Sequence, residues 1–337
     1  MSYGLIYTIP FATLDNTPCV VEIEKDGYTG ASTELTAGAT PFTIDIDSEE
    51  FLYTPTRFST AKLQIVGSDY LQTLFSTEYR QYRVTLKKDG VITWCGFVKP
   101  ELYTQDYTSE TFILEIECMS AMSVLEFIDY TTEGETKNFV SIWHLLQRCI
   151  SSSAGQYNSV LIPHVYASSK AAYSTEENVL ADMTLSEQDF FDEDDKPIKL
   201  KEVLEEVCKF LNWTCADWKG NLYFVDVDHT GIYRQYDIGL ENKANTQVNE
   251  LLVQDIGFAG SNHSLDVLPG YNKASVKCSN YPVGTLLPDE DYSELKELLT
   301  VDEELSDHTK VCHSVYLNPD TWDCLMFCLL YTSPSPR

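Results

Sequence analysis

The sequence is short of positive charge, has no long apolar run and lacks the short motifs that mark familiar catalytic sites. Its 337 residues carry 23 Lys and Arg against 52 Asp and Glu, a formal charge of −29. A chain so acidic has too few cations to neutralise phosphates, so no stable nucleic-acid binding is expected. The same charge repels an anionic membrane surface. No apolar stretch reaches the roughly 18 residues that a bilayer-spanning helix needs. The opening MSYGLIYTIPFATLDN has no basic region and an early Pro10, so no secretory signal is expected.

Catalytic and cofactor signatures are missing as well. There is no G-x-S-x-G, no Walker loop, no dinucleotide fingerprint and no H-E-x-x-H. None of the histidines (His144, His164, His229, His263, His308, His313) has a second histidine four residues on. His144 falls on an amphipathic helix and reads as packing or surface. With 52 acids, neighbouring carboxylates arise by chance and carry no glycosidase argument. The ten cysteines include no C-x-x-C pair, and Cys118 continues the apolar alternation of Phe112, Leu114 and Ile116. Buried reduced thiols are therefore expected. Cys312 and His313 are adjacent but lack further ligands at zinc spacing.

Two acidic stretches come nearer to a metal site. In DVDHTGIYRQYD, Asp226, Asp228, Thr230, Gly231 and Asp237 fall at calcium-loop positions. A strand rather than a helix leads into it, and its last position is Asp instead of bidentate Glu, so it reads as a strand-end turn. Asp189, Asp192, Glu193, Asp194 and Asp195 have no glycine turn and read as a solvated loop. No catalytic residue, cofactor or metal is expected, and the chain is not read as an enzyme.

What is present is β pattern. Hydrophobic residues make up 43% and aromatics 12%, with 21 Tyr, as in a well-packed globular protein. YGLIYTIPF, CVVEIEKDG, FTIDIDS, TAKLQIVG, YRVTLKKDG, VITWCGF and TFILEIEC follow one another between Gly, Asp, Asn or Pro. That spacing predicts a barrel or sandwich over residues 1–130. Asp89-Gly90 is the clearest hairpin turn. SAMSVLEFI predicts a short helix with Met122, Leu125 and Phe127 as its apolar side.

The period then changes. Ile142, Leu145, Leu146, Cys149 and Ile150 predict one amphipathic helix, and Leu200, Val203, Leu204, Val207 and Leu211 a second. A hairpin turning at Lys219-Gly220-Asn221 follows, giving a small α/β domain over 131–244. From 245 to 327 strand patterns return in LLVQDIGFAG, HSLDVLPG and YNKASVKCSN. A helix-like acidic piece, DEDYSELKELLTVDEEL, and a strand, KVCHSVYL, come after them. The fold expected is mainly β with an α/β insertion: two β-barrel-like domains flanking a small α/β domain, the second barrel truncated. The final CLLYTSPSPR, residues 328–337, looks like a translated sequencing adapter. It is expected to be non-native, which would make the chain an N-terminal fragment of metagenomic origin.

The stretch YRVTLKKDGVITWCGFVKPELYTQDY, with TAKLQIVG before it and TFILEIECMSAMSVLEF after it, resembles the tail-tip or baseplate hub proteins of long-tailed bacteriophages. The shared pattern is a hairpin, W-x-G-F-V-x-P with a tyrosine soon after, a long alternating strand and a short helix. Trp94, Gly96, Phe97, Pro100 and Tyr103 carry it. KLKEVLEEVCKFLNWTCADWKGNLYFVDVDH resembles the family's helix-plus-hairpin unit, and GSNHSLDVLPGYNKASVKC the opening of its second barrel. The resemblance implies a structural protein of the virion tail tip, made in the host bacterial cytoplasm. It implies a homotrimer whose paired barrels match a sixfold tail tube and its distal tail proteins to a threefold fibre or spike. A distal tail adaptor or receptor-binding component is the alternative, as is the front part of a tail-associated cell-wall hydrolase. For the motif itself, Trp94 is expected to fill the barrel, Gly96 to bend or bulge the strand, and Pro100 to end its pairing.

Overall fold

The computed structural model describes residues 2–46, 54–69, 71–100, 111–134, 137–163, 165, 178–192, 194–226 and 233–241, with the backbone of three more strands at 243–246, 299–304 and 310–314. Residues 1–253 form one compact unit and 254–337 another.

The first unit opens with β1 (Tyr3–Ala12), β2 (Pro18–Asp26), β3 (Thr33–Glu34) and β4 (Thr36–Ile46). Then come β5 (Thr56–Arg57), β6 (Ser59–Gly67), β7 (Tyr82–Lys88), β8 (Val91–Val98) and β9 (Phe112–Ser120). All but β5 join one eight-stranded sheet in the order β3-β1-β2-β7-β8-β9-β6-β4. Alternation decides which face is inside. In β6, Ala61, Leu63 and Ile65 are buried, and they pack with Ile9, Val21 and Ile116. Lys62 and Gln64 point the other way and face Glu117 and Glu115 on β9. Arg83 on Glu24 and Lys87 on Glu22 repeat that cross-strand pairing between β7 and β2.

The sheet's two end strands are consecutive pieces of one segment. Thr33–Glu34 lies parallel to β1, while Thr36–Ile46 runs antiparallel to β6. Leu35 between them donates its N–H to Thr8 O at 2.9 Å. The sheet therefore curls into a barrel-like body around its core, but the ladder is not closed by direct pairing of β3 with β4.

The α/β part supplies β10 (Phe139–Ser141), α1 (Ile142–Ser153), β11 (Val160–Pro163), α2 (Val179–Asp182), β12 (Thr184–Ser186) and α3 (Leu200–Leu211). β13 (Trp213–Trp218), β14 (Asn221–Asp226), β15 (Tyr233–Tyr236) and β16 (Lys243–Thr246) follow. A six-stranded sheet runs β16-β15-β11-β14-β13-β5. The stripe on α1 is buried throughout. The Ser141 hydroxyl caps this helix by accepting the His144 N–H at 3.2 Å. On α3, Leu200, Val203, Leu204 and Val207 are buried, and Leu211 at its end is half-buried. Both predicted hairpin turns have left-handed residue pairs, Asp89-Gly90 at φ 49° and 77° and Lys219-Gly220 at 47° and 74°.

The core beneath α1 and α3 also takes in Phe97, Met119, Met122 and Leu125 from the N-terminal part. β5, which precedes β6 directly, pairs parallel with β13 through Thr56↔Cys215 and Arg57↔Ala216. By packing, residues 54–57 and 121–130 thus belong with residues 137–241.

Two expected helices differ. Residues Ala121–Phe127 form a 3-10 helix, with Val124 buried and Phe127 37% exposed. The tighter winding turns Phe127 out to stack on Tyr79, ring centres 5.1 Å apart. The acidic piece predicted as helix contains instead β17 (Leu299–Glu304), antiparallel to β18 (Lys310–Ser314). Its Leu299-Thr300-Val301 start suits a strand better than a helix, and a partner strand lies close by in sequence. The rest of the second barrel predicted over 245–327, and residues 328–337, lie outside the described residues.

Candidate functional site

The motif stretch sits where the two cores meet. β8 is buried continuously from Trp94 to Val98 instead of alternately. Trp94 and Val98 pack into the core of the eight-stranded sheet, while Cys95 and Phe97 pack into the core beneath the helices. A strand with apolar cover on both faces loses the alternating signal of a half-wet one.

The bulge lies at Thr93, not at Gly96. Leu86 pairs with Trp94 and the next residue, Lys87, with Ile92, which leaves Thr93 as the extra residue. Its hydroxyl donates to Leu86 O at 3.2 Å. Gly96 answers a different need. A Cβ there would stand 2.1 Å from Met119 O and 2.3 Å from the Trp94 ring. Trp94 lies along its own strand over the hydrogen of Gly96, so any side chain would push out the indole or prise β8 from β9. After Val98, the Lys99 N–H still reaches Glu117 O at 2.9 Å. Pro100 comes next and has no N–H to give. Tyr103 lies outside the described residues.

The indole of Trp94 leads to a buried acid. Its Nε1–H donates to Ser59 Oγ at 2.8 Å, and the Ser59 hydroxyl donates in turn to Asp217 Oδ2. The Ser59 N–H donates to Asp217 Oδ1 at 2.9 Å. Asp217 is 7% exposed. Burial pushes its carboxyl above the ordinary value, against the Ser59 hydrogen bonds that pull it down. This chain of bonds ties β8 and β6 of one sheet to β13 of the other.

Beside it is a cavity of about 250 Å³ between β4, β8 and the β13–β14 turn. Trp94, Ile44, Ile46 and Trp218 give it apolar walls, with Asp217 and Tyr157 as polar lining. Tyr157 is 4% exposed, and burial holds its phenol well above the usual range. The hydroxyls of Tyr157 and Ser120 lie close enough to sense each other. Neither meets a partner in hydrogen-bond geometry among the described residues. Cys95 lines the same space, its thiol pushed up to about 12 by burial, which makes it a poor nucleophile.

Asp217, Ser59 and Tyr157 escaped the sequence reading, although Asp217 left a signal. It falls in phase with Trp213 and Cys215 on the buried face of β13, where an acid is out of place. Ser59 and Tyr157 left none, because their partners are distant in sequence.

The other candidates do not gather here. The His144 ring contacts the Glu133 carboxylate at the surface. In the acidic run, Asp192 Oδ1 accepts the N–H groups of Asp194 and Lys196 at 2.9 and 2.8 Å, closing a turn. Asp194 and Asp195 pair with Lys196 and Lys137. Asp226 ends β14, and most of the calcium-like loop after it, residues 227–232, lies outside the described residues. Cys312 and His313 are placed in β18 by backbone alone. The six described cysteines are free and buried. Among the described residues no cluster of acids, histidines and cysteines could hold a metal. No helix among them is long and apolar enough to cross a membrane.

No family model matches the chain, and no curated protein matches it. Among solved structures it is similar to the prophage MuSo2 43 kDa tail protein from Shewanella oneidensis. That likeness has 10% identity and a TM-score of 0.32, over 55% of this chain and 53% of the other. It is also similar to a tail protein from Neisseria meningitidis MC58, with 12% identity and a TM-score of 0.35, over 63% of this chain and 52% of the other. The chain thus spans about half the length of these solved chains.

Proposed function

We propose that this chain is a structural protein of a bacteriophage tail, acting at the tail tip as a hub between the tail tube and a trimeric fibre or spike. The observation that carries the reading is how the resembling residues are used. Trp94 and Phe97 are buried in two different cores, and Gly96 is required by the close approach of β9 and the Trp94 ring. These residues serve the seam between two sheets, as an architectural motif should. The reading rests on this seam and on the sequence resemblance, not on the two partial likenesses to solved tail proteins. The wet outer face of the eight-stranded sheet, with its acid–base pairs across strands, suits a body that stays soluble until it assembles.

Light scattering on the complete gene product at micromolar concentration tests the proposal. A trimer is expected, held more firmly at moderate than at very low salt because screening relieves repulsion between acidic copies. A hexamer would favour the distal adaptor instead. A monomer, or glycosidase or peptidase turnover mapped to residues 1–327, would overturn the hub reading.

A further inference from the structure

The eight-stranded sheet ends on β4, and the last part of that strand is an edge ready for pairing. Natural edges are blunted by bulges, proline, lysine or shortness. β3, at the other end of the sheet, has only two residues. The first part of β4 has Pro41 and a register shift between Ala37 and Phe42. Residues 42–46 have no bulge, no proline and no lysine. They pair one by one with β6, and among the described residues no backbone group bonds their far edge.

Burial shows that the core stops short at this strand. Phe42, Ile44 and Ile46 lie opposite Leu63, Ala61 and Ser59, so each pair points to the same face. The three β6 residues are buried, Ala61 at 2% exposure, whereas Ile44 is 41% exposed and Phe42 and Ile46 are half-buried. β6 has a strand on each side, and β4 lacks the second. Ile44 and Ile46 also wall the seam cavity of about 250 Å³, together with Trp94 and Trp218. Trp218 is itself 47% exposed. An apolar side chain carried by a strand along β4 has room there.

Charge tells which kind of strand fits. Across the other ladders Glu22 meets Lys87, Glu24 meets Arg83 and Glu117 meets Lys62. Asp45 points to the same outer side, is exposed and lies opposite Thr60, with no cation beside it among the described residues. A second copy's β4 could not answer it, because residues 42–46 hold no cation and each copy brings a charge of −29.

We propose that the edge at residues 42–46 is completed by an extended segment of a partner protein in which apolar residues alternate with lysine or arginine. Its backbone bonds the free edge, as in strand addition. Its apolar side chains cover Ile44 and enter the cavity, and a cation stands opposite Asp45. None of this depends on the tail reading, since only this sheet is needed.

The full chain is titrated with a capped nine-residue peptide alternating valine and lysine. The indole N–H signals of its five tryptophans are followed by NMR. Saturable binding that moves the Trp94 and Trp218 signals is expected. A peptide of the same composition, with its valines and lysines in separate blocks, should bind at least tenfold more weakly. That control separates strand addition from general attraction to an acidic chain. Of two alternating peptides, one N-methylated on every valine and one on every lysine, the version methylated on the docking edge should not bind. Asp45→Lys, at an exposed position, should weaken the lysine peptide at least fivefold and bind a valine–glutamate peptide better than the parent does. Equal binding of the alternating and blocked peptides, binding of both methylated versions, or an unchanged charge preference in Asp45→Lys overturns the proposal. Dimerisation of the free chain that Ile44→Lys abolishes would give the edge to a second copy and overturn it equally.

Discussion

Both sheets, the eight-stranded and the six-stranded, mix hairpins with distant pairings, and they differ in how their strands are covered. In the first, β1–β2 and β7–β8 are hairpins. In the second, β11 lies between β14 in parallel and β15 in antiparallel, and β5 joins from about the other end of the unit. In the first sheet β2, β6 and much of β9 keep a more open face and so keep their alternation, whereas β8 does not. β11 is buried at all four positions and has none to show. Local pairing and a wet face make a strand readable, and distant pairing under full cover conceals it.

The two regions share the seam at β8, and unfolding tells whether they are separable. Leu63 in the first core and Leu204 in the second are both fully buried. Truncation to Ala should cost about 4 kcal/mol at either site. If β8 and the Asp217 bonds couple the cores, chemical denaturation shows one transition, and each variant moves it as a whole. Two resolved transitions, each moved by only one variant, would show that the regions unfold independently.

Gly96→Ala attacks the seam itself. The added methyl has no room beside Met119 O and the Trp94 ring, and overpacking of this kind should cost about 3 kcal/mol. Both near-ultraviolet tryptophan signal and the denaturation midpoint should fall together. A midpoint within experimental error of the parent would mean that β9 yields and that Gly96 is dispensable.

Two buried acids should show opposite pH slopes, one in each setting. Glu187 accepts the Tyr130 hydroxyl at 2.7 Å and the Asn138 N–H at 2.8 Å. Burial would raise its carboxyl, but these bonds outweigh it and hold the group below its ordinary 4.5. Its stabilisation is present above 4.5 and lost as pH falls through the lower folded value. Glu187→Gln should therefore cost about 2 kcal/mol at neutral pH, with the gap closing in acid. Asp217 is raised above its ordinary 3.8. Its contribution is fully present below 3.8 and is lost as pH rises through the higher folded value. The deficit of Asp217→Asn should thus shrink as pH rises. Urea midpoints from pH 3 to 8 check both, and parallel slopes would contradict the assignment.

Much of the fold could be read from residues alone, for identifiable reasons. The seven N-terminal strand patterns, both helix stripes and both left-handed turns depend on short-range periodicity, and the structure holds all of them. Residues 121–127 were harder, because 3-10 and α-helix share the same apolar spacing over so short a run. β5 could not be foreseen: two residues, Thr56 and Arg57, carry no period, and their partner β13 is far along the chain. The candidate site was half legible. Trp94 and Gly96 stood out by type and spacing. Asp217, which completes the seam, was visible only as an acid in an apolar phase, and its partner Ser59 becomes apparent only once the sheets are placed.

The smallest expected effects test the wet face that made the first sheet readable. Arg83 bonds Glu24 through Nε and Nη2, both at 2.7 Å, and its guanidinium lies 4.2 Å from the centre of the Tyr3 ring. Both side chains are mostly covered, at 13% and 16% exposure. Lys62 and Glu117 are 3.6 Å apart at 62% and 42% exposure, where water and salt screen the pair. Glu24→Gln should cost about 1 kcal/mol, at the upper end for a surface pair, because the two-nitrogen geometry and the ring hold the arginine in place. Lys62→Gln should cost less than about 0.5 kcal/mol. Added salt should reduce the Glu24 effect only in part, since the pair is shielded. If the two substitutions cost the same, the outer face would contribute by hydration alone, and its cross-strand pairs would not help to set the register of β2 against β7.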